Sequence, residues 1–218
     1  MSTRPKKAVI FDFDGTLVNS MEYFAEIASR VMYDVYHTPK KEAKRQYILT
    51  SGLPFREQLE EIYPGDPRNE MAAEMYENEK QRRYLEQRPY EGARETLEEL
   101  RKNGFVTIIS SNNFQDLVDK LVEKVAFKAD LVLGLRSKDF GKGTPHFEFV
   151  LKNFGLKKDE VLFVGDSLKD AEKASSFGIP FVGKTGLFKK KDFLKKFGVD
   201  TIDDLQGLLT YLDIKRGA

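Results

Sequence analysis

Residues 9–20 read VIFDFDGTLVNS, in which an apolar strand pattern leads directly into two aspartates, Asp12 and Asp14, followed by Gly15 and Thr16. Two carboxylates at the end of a buried strand repel each other, and burial disfavours the charged form of each. A positive charge at this place would offset both penalties. The stretch therefore predicts a cation site at the end of the first strand.

Short apolar runs alternate with helix-period segments along most of the remaining chain, which is typical of a parallel sheet covered by helices. Helical spacing of apolar residues marks 91–102 and 147–154 as helices. The fold class predicted is α/β, a Rossmann-like parallel sheet with helices on both faces. Its strands are predicted at 8–11, 105–110, 130–135, 161–164 and 180–183.

The segment 20–88 differs, because it carries helix-period patterns and no convincing strand. We expect an inserted α-helical domain at 19–88, between the two parts of a core domain at 1–18 and 89–218. Three apolar stripes are interpreted as its packing faces: Tyr23, Phe24, Ile27, Ala28 and Val31; Phe55, Leu59 and Ile62; Met71, Met75 and Tyr76.

The amino-acid composition excludes some classes of function. The 36 basic and 35 acidic residues leave a net charge of +1, so no overall field indicates a nucleic-acid or membrane partner. The absence of cysteine excludes disulfides, thiolate catalysis and zinc–thiolate sites and fits a cytoplasmic protein. The lysine-dense stretch 184–198 is interpreted as a solvated face. His37 and His146 are given no catalytic role, and the oligomeric state, monomer or dimer, stays open.

Polar residues also follow two further predicted strands. Ser110, Ser111 and Asn112 end the second, and Asp166 and Asp170 follow the fourth. The carboxyl ends of parallel strands meet at one edge of an open sheet, where ligands bind. Carboxylates without imidazole or thiolate favour Mg²⁺, which seeks phosphate oxygens. The sequence thus predicts a magnesium cofactor and a phosphorylated substrate.

The chemistry follows from these residue types. A carboxylate beside the metal can attack phosphorus and carry the phosphoryl group, so Asp12 is the predicted nucleophile. Asp14 can protonate the leaving oxygen and later deprotonate water. Thr16 and Ser111 can donate hydrogen bonds to phosphate oxygens, while Gly15 permits a tight turn.

A further cation is needed to balance charge on the transferred group. Lys142, in the stretch DFGKGTPHFEFV just before a predicted helix, is the candidate, and Asp170 could hold it in place.

Four motifs occur in order: DFDGT, a strand ending in SSN, a lysine followed three residues later by Pro145, and VGDSLKD. Together they resemble the haloacid dehalogenase superfamily, and most closely its phosphoglycolate phosphatase and β-phosphoglucomutase-like members. The resemblance covers 7–19 and about 90–182, and the insertion resembles the helical cap of the family. The sequence departs from the usual pattern at Asn19, at KGTP and at the residue after Asp170.

The resemblance implies residue roles that agree with those above. Asp12 would be the nucleophile and a metal ligand; Asp14 the acid/base, with its backbone carbonyl on magnesium; and Asp166 would complete the metal site. Ser111, preferred over Ser110, and Asn112 would bind the phosphate. The stretch TSGLPFREQL at 50–59 resembles a cap loop of β-phosphoglucomutase relatives, which makes Arg56 a candidate contact for the polar end of a substrate.

Three functions stay open at this point. The first is a magnesium-dependent phosphatase of a small phosphorylated metabolite, of the phosphoglycolate or sugar-phosphate type, acting through an aspartyl phosphate. The second is a phosphomutase, which would return the group to another hydroxyl of a sugar phosphate. The third is a noncatalytic binding or regulatory module. The presence of a suitable residue at every catalytic position argues against it.

Overall fold

Six parallel strands form the sheet that organises the chain. A computed structural model describes residues 5–214. The strands are β1 Ala8–Asp12, β2 Val106–Phe114, β3 Leu131–Leu135, β4 Val161–Gly165, β5 Phe181–Lys184 and β6 Thr201–Ile202, in the spatial order β3-β2-β1-β4-β5-β6. The five predicted strands are present. The short β6 was not predicted, because two residues carry too little pattern to be recognised.

Helices cover both faces of the sheet, as expected for α/β. Along β1, Val9 and Phe11 belong to one apolar cluster and Ala8 and Ile10 to the other, because successive strand residues point to opposite faces. The first face packs α5 (Ala93–Lys102), α6 (Gln115–Lys124) and α10 (Gln206–Tyr211), and the second packs α7 (Thr144–Phe154), α8 (Leu168–Phe177) and α9 (Lys190–Phe197). Both faces of β1 are fully buried, which explains its uninterrupted apolar sequence.

Four helices fill the insertion between β1 and α5. They are α1 Met21–Tyr36, α2 Lys40–Leu49, α3 Phe55–Ile62 and α4 Asn69–Arg83, followed by a 3-10 turn at Tyr84–Glu86. Their buried residues join the apolar cluster on the first face of the sheet. We refer to α1–α4 and their loops as the cap; its boundaries as a separate domain, 19–88, stay a prediction. No helix within residues 5–214 is both long and apolar enough to cross a membrane.

Two local interpretations from the sequence were wrong. Met71 and Met75 are exposed rather than packed, since α4 buries Ala72, Ala73 and Tyr76 instead. Lys184 is not part of a solvated face: it is buried, with its ammonium 3.7 Å from the ring centroid of Tyr90.

Candidate active site

The carboxyl ends of β1 and β4 place the predicted acidic residues together. Asp12 is the last residue of β1, and Asp166 and Asp170 follow β4, with α8 beginning between them. Oxygens of these three buried carboxylates lie within 4.8 Å of one another. The predicted convergence of Asp12 and Asp166 is therefore present in the structure.

A buried lysine stands between two of these carboxylates. Lys142 Nζ lies 2.6 Å from Asp12 Oδ1 and 2.7 Å from Asp170 Oδ1. Burial alone would lower the pKa of Lys142, but the adjacent Asp12 and Asp170 raise it above its ordinary value, so the lysine is charged. Asp170 is fixed from its other side, because its Oδ2 accepts a hydrogen bond of 2.6 Å from Ser167 Oγ at the start of α8.

The cluster still carries more negative charge than its residues neutralise. Burial raises the pKa of Asp12 to about 6, and Asp170 adds to the rise while Lys142 opposes it. Burial, Asp12 and Asp170 raise the pKa of Asp166 well above its ordinary value. A hard divalent cation would relieve this repulsion, and the all-carboxylate donor set is the kind that suits magnesium. The residues present thus fit the predicted ion.

Thr16 and Gly15 shape the turn after β1. Thr16 Oγ1 donates a 3.0 Å hydrogen bond to Asp12 Oδ2, so its hydroxyl lies beside the predicted nucleophile. Gly15 has a φ of +89°, and a Cβ there would stand 2.1 Å from Asp166 Oδ2. Only glycine allows this turn to approach the acidic cluster so closely.

Asp14 sits in a dense set of donors. Its Oδ1 accepts from Ser20 Oγ at 2.8 Å, and its Oδ2 accepts from Asn113 Nδ2 at 2.6 Å and from Tyr84 OH and Ser111 Oγ at 3.3 Å each. Burial raises the pKa of Asp14, and the Ser20 hydrogen bond opposes the rise. A raised pKa suits a carboxyl group that must carry a proton at neutral pH.

The predicted phosphate-binding residues on β2 separate by strand alternation. Ser111 faces Asp14, whereas Ser110 Oγ lies 2.8 Å from His146 Nδ1 inside the other face. Asn112 lines the cavity described below, but its amide donates to the backbone oxygen of Gly52 in the cap at 2.9 Å. Phosphate binding by Thr16, Ser111 and Asn112 stays a prediction.

A cavity of about 750 Å³ opens between the cap and the strand ends. Asp12, Asp14 and Asp166 lie at its floor, and α3 and α4 contribute to its walls. Arg56 lines it from α3, but its side chain is exposed and paired with Glu70 of α4. The structure therefore places Arg56 at the cavity without showing it free to bind a substrate.

Sequence reasoning missed several residues that reach this site. The hydrogen-bonding partners Ser20, Tyr84 and Asn113 of Asp14 were not singled out, nor was Lys80 of α4, whose Nζ donates to Asn113 Oδ1 at 2.6 Å. Lys184 was also missed; its Nζ donates to the Gly15 oxygen at 3.3 Å. The one local signal was Asn113, a second amide directly after the recognised Asn112. The others come from distant parts of the chain.

Comparison with known proteins agrees with this geometry. The family model described as haloacid dehalogenase-like hydrolase matches residues 9–184. Curated relatives include pyrophosphatase PpaX of Halalkalibacterium halodurans, 24% identical over 94% of this chain and 95% of its own, and phosphoserine phosphatase of Methanocaldococcus jannaschii, 29% identical over 87% and 92%. Phosphoglycolate phosphatase of Pseudomonas putida is 26% identical over 93% and 78%.

Solved structures share the whole fold. A protein described as a predicted phosphatase from Clostridium acetobutylicum superposes with a TM-score of 0.81 at 21% identity, over 96% of this chain and 99% of its own. A hydrolase from Pseudomonas syringae gives a TM-score of 0.80 at 23% identity, over 96% and 98%.

The class that fold and site define is a hydrolase with a parallel sheet between two layers of helices and an acidic centre at the strand ends. The chain belongs to the haloacid dehalogenase-like hydrolase family. The predicted resemblance is confirmed, and so is the prediction of an enzyme of the phosphoric monoester hydrolase class.

Proposed function

We propose that the protein is a magnesium-dependent phosphatase that hydrolyses a small phosphorylated metabolite through an aspartyl phosphate on Asp12. The observation that carries the proposal is the charge arrangement at the strand ends. Buried oxygens of Asp12, Asp166 and Asp170 lie within 4.8 Å of one another, and Lys142 contacts both Asp12 and Asp170. Such a site attracts a divalent cation and a phosphate, and it holds a carboxylate beside both.

Asp12 and Asp166, with the backbone carbonyl of Asp14, would hold the metal, and Asp170 would keep Lys142 in place. When bound, magnesium would neutralise these carboxylates and a phosphate oxygen. Asp12 attacks phosphorus as the ester oxygen leaves, and Asp14 gives that oxygen a proton. In the second displacement Asp14 takes a proton from water, which attacks phosphorus and releases phosphate from Asp12. Lys142 offsets the charge on the transferred group.

Substrate choice would lie in the cap. Relatives named for pyrophosphate, phosphoserine and phosphoglycolate hydrolysis support a small phosphorylated substrate without selecting one. The cavity between α3, α4 and the strand ends, about 750 Å³ in volume and with Arg56 at its wall, has room for a compact metabolite. A cytoplasmic location, and the absence of nucleic-acid and membrane partners, remain predictions.

The test is a substrate panel with and without magnesium. It would contain pyrophosphate, phosphoserine, phosphoglycolate, sugar phosphates and p-nitrophenyl phosphate, assayed by phosphate release. We expect turnover of at least one member that requires magnesium and falls to background in Asp12→Asn, because an amide is not a competent nucleophile here. The matched control is Asp116→Asn, which makes the same change at an exposed residue of α6 and should retain activity.

Three results would contradict the proposal. Turnover that persists without magnesium, or in Asp12→Asn, would remove the catalytic assignment. Absence of turnover across the panel would favour the noncatalytic module. Isomerised sugar phosphate in place of free phosphate would identify a phosphomutase.

A further inference from the structure

Lys80 and Asn113 form a chain of contacts from the cap to Asp14. Lys80, on α4, is buried, and its Nζ donates to Asn113 Oδ1 at 2.6 Å. Asn113, near the end of β2, donates from Nδ2 to Asp14 Oδ2 at the same distance. Glu77 also contacts Lys80 at 2.6 Å, and the ring centroids of Phe24 and Tyr76 lie within 6 Å of its ammonium. The lysine is therefore held in one place.

The contacts between Lys80, Asn113 and Asp14 allow only one orientation of the Asn113 amide. A lysine ammonium has donors and no acceptor, so it can pair only with the oxygen of the amide. The amide must turn its oxygen to Lys80 and its nitrogen to Asp14. Without Lys80, nothing in this pair of contacts prevents the amide from rotating by 180° and presenting an oxygen to Asp14.

An oxygen facing Asp14 Oδ2 would repel the carboxylate and move it. The other donors to Asp14, from Ser20, Tyr84 and Ser111, are hydroxyls, which rotate and can either donate or accept. Asn113 Nδ2 is thus the one donor of the four that cannot reverse. It fixes which carboxylate oxygen stays an acceptor, and Lys80 fixes Asn113.

We propose that Lys80 and Asn113 are positioning residues for Asp14, through which contact of α4 with the strand ends places the acid/base for protonation of the leaving group. This inference rests on the proposed function, in which Asp14 protonates the leaving oxygen. Because Lys80 belongs to the cap and Asn113 and Asp14 to the sheet edge, Asp14 is fully placed only when α4 packs against that edge.

Leaving groups of different acidity separate this role from a general loss of structure. A 2,4-dinitrophenolate leaves without a proton, whereas the more basic phenolate needs one, and a positioned acid typically contributes roughly 10²–10⁴-fold. We expect Lys80→Met to lower kcat/KM, which reports the step in which the leaving group departs, for phenyl phosphate roughly tenfold or more beyond its effect on 2,4-dinitrophenyl phosphate. Methionine suits the aromatic surroundings of Lys80, so the variant should fold.

Two further variants test whether Lys80 acts through Asn113. Asn113→Leu should change the ratio of the two kcat/KM values in the same direction, and Lys80→Met added to it should change that ratio no further, since the contact from Lys80 to Asp14 is already broken. Lys80→Arg keeps a buried donor and should restore most of the ratio. The control is Lys169→Met, which breaks another contact between cap and core, the 2.7 Å ion pair of Lys169 with Glu61, away from Asp14.

Each outcome of these assays either supports or overturns the inference. Equal falls in kcat/KM for both esters in Lys80→Met and Asn113→Leu would overturn the inference, because a structural or substrate-binding role predicts that pattern. The same change of ratio in Lys169→Met would also overturn it. If the unaltered enzyme turns over no member of the substrate panel with magnesium, the proposed function fails and the inference falls with it. If it turns over a panel member but neither ester, kcat/KM for that member should fall in Lys80→Met and not in Lys169→Met. An active enzyme with an unchanged ratio in the variants rejects the inference alone.

Discussion

His146 shows how a single buried residue links this fold to pH. Its side chain is fully buried beneath the ring of Phe140, and its Nδ1 lies 2.8 Å from Ser110 Oγ. Burial lowers the pKa of His146 to about 4, and the nearby charges of Lys142 and Arg136 add to the effect. The histidine is therefore neutral in the folded protein over a range where an exposed one would be protonated.

Protonation of the unfolded chain should consequently destabilise the protein in mild acid. Between the ordinary pKa of 6.5 and about 4, the unfolded state binds a proton at this site and the folded state does not, so stability falls as pH falls through that window. Near pH 5 the contribution amounts to about 2 kcal/mol. We expect urea unfolding to show a smaller loss of stability between pH 7.5 and pH 5 for His146→Asn than for the unaltered protein.

The matched control for this comparison is His37→Asn. His37 is exposed at the end of α1 with a φ of +58°, a conformation that asparagine tolerates. Its variant should keep the full loss of stability in acid. Equal losses in the two variants would show that His146 is not the group responsible.

Single residues also show why the sequence predicted part of the site and not the rest. Asp12, Asp14 and Asp166 were predicted because each follows a strong apolar strand signal, and parallel strands bring their carboxyl ends to one edge. Lys184 could not be identified in the same way. Its burial depends on the ring of Tyr90, which lies over ninety positions earlier in the chain. Local composition around Lys184 is that of a solvated surface.

At the scale of elements, β2 is the one whose extent matters most for the site. The sequence predicted 105–110, but the strand runs through Phe114, with an irregular register against β3 between Ser110 and Phe114. The polar run from Ser110 to Asn113 indicates a turn, because β-strands favour aromatic and β-branched side chains. The extended backbone nevertheless explains the alternation in which Ser111 and Asn113 face Asp14 and Asn112 faces the cap.

The loop between α2 and α3 is the element that docks the cap near the site. The Gly52 carbonyl accepts from Asn112 Nδ2 at 2.9 Å and from Lys173 Nζ at 2.7 Å. Gly52 has a φ of +94°, and a Cβ there would meet Ser167 Oγ at 2.3 Å. Because Ser167 holds Asp170, a side chain at position 52 would push the loop away from the acidic cluster.

We therefore expect Gly52→Ala to impair closure of the cavity, with a raised KM and a lowered kcat in the phosphatase assay. Gly65→Ala is the matched control, since Gly65 lies in another cap loop, also has a positive φ, of +68°, and would place its Cβ in open space. Both variants carry the strain of a positive φ, so Gly65→Ala measures what that strain alone does to stability and activity. Equal kinetic effects in the two variants would contradict a docking role for Gly52.

At the scale of the whole molecule, the site is assembled from segments that the sequence does not relate to one another. Tyr84 lies 70 positions from Asp14, and Asn113 lies 99 from it. One apolar cluster joins the cap helices to a face of the sheet, and this packing brings Lys80 and Tyr84 to the strand ends. Periodicity predicted that the insertion is helical, but the pairing of its faces depends on tertiary packing that no local pattern specifies.

The same assembly gathers negatively charged carboxylates at the strand ends, which lowers the stability of the protein without a bound cation. Asp12, Asp166 and Asp170 are buried together; burial first, and then repulsion between neighbouring carboxylates, raises the pKa of Asp12 and Asp166. Magnesium should therefore stabilise the folded protein by RT ln(1 + [Mg²⁺]/Kd), about 2.7 kcal/mol at one hundred times Kd. For a chain of this length that corresponds to a rise in Tm of roughly 5–10 °C.

Asp166→Asn should separate the effect of repulsion between the carboxylates from the effect of magnesium binding. Asparagine keeps the volume of Asp166 but removes one negative charge, so we expect the variant without magnesium to have a higher Tm than the unaltered protein and a much smaller rise when magnesium is added. Asp116→Asn, on the exposed surface of α6, should behave as the unaltered protein does. Thermal unfolding with magnesium and with a chelator measures both effects without any assay of activity. A full magnesium-dependent rise in Asp166→Asn would mean that the ion binds elsewhere, since the site at the strand ends needs that carboxylate to hold it.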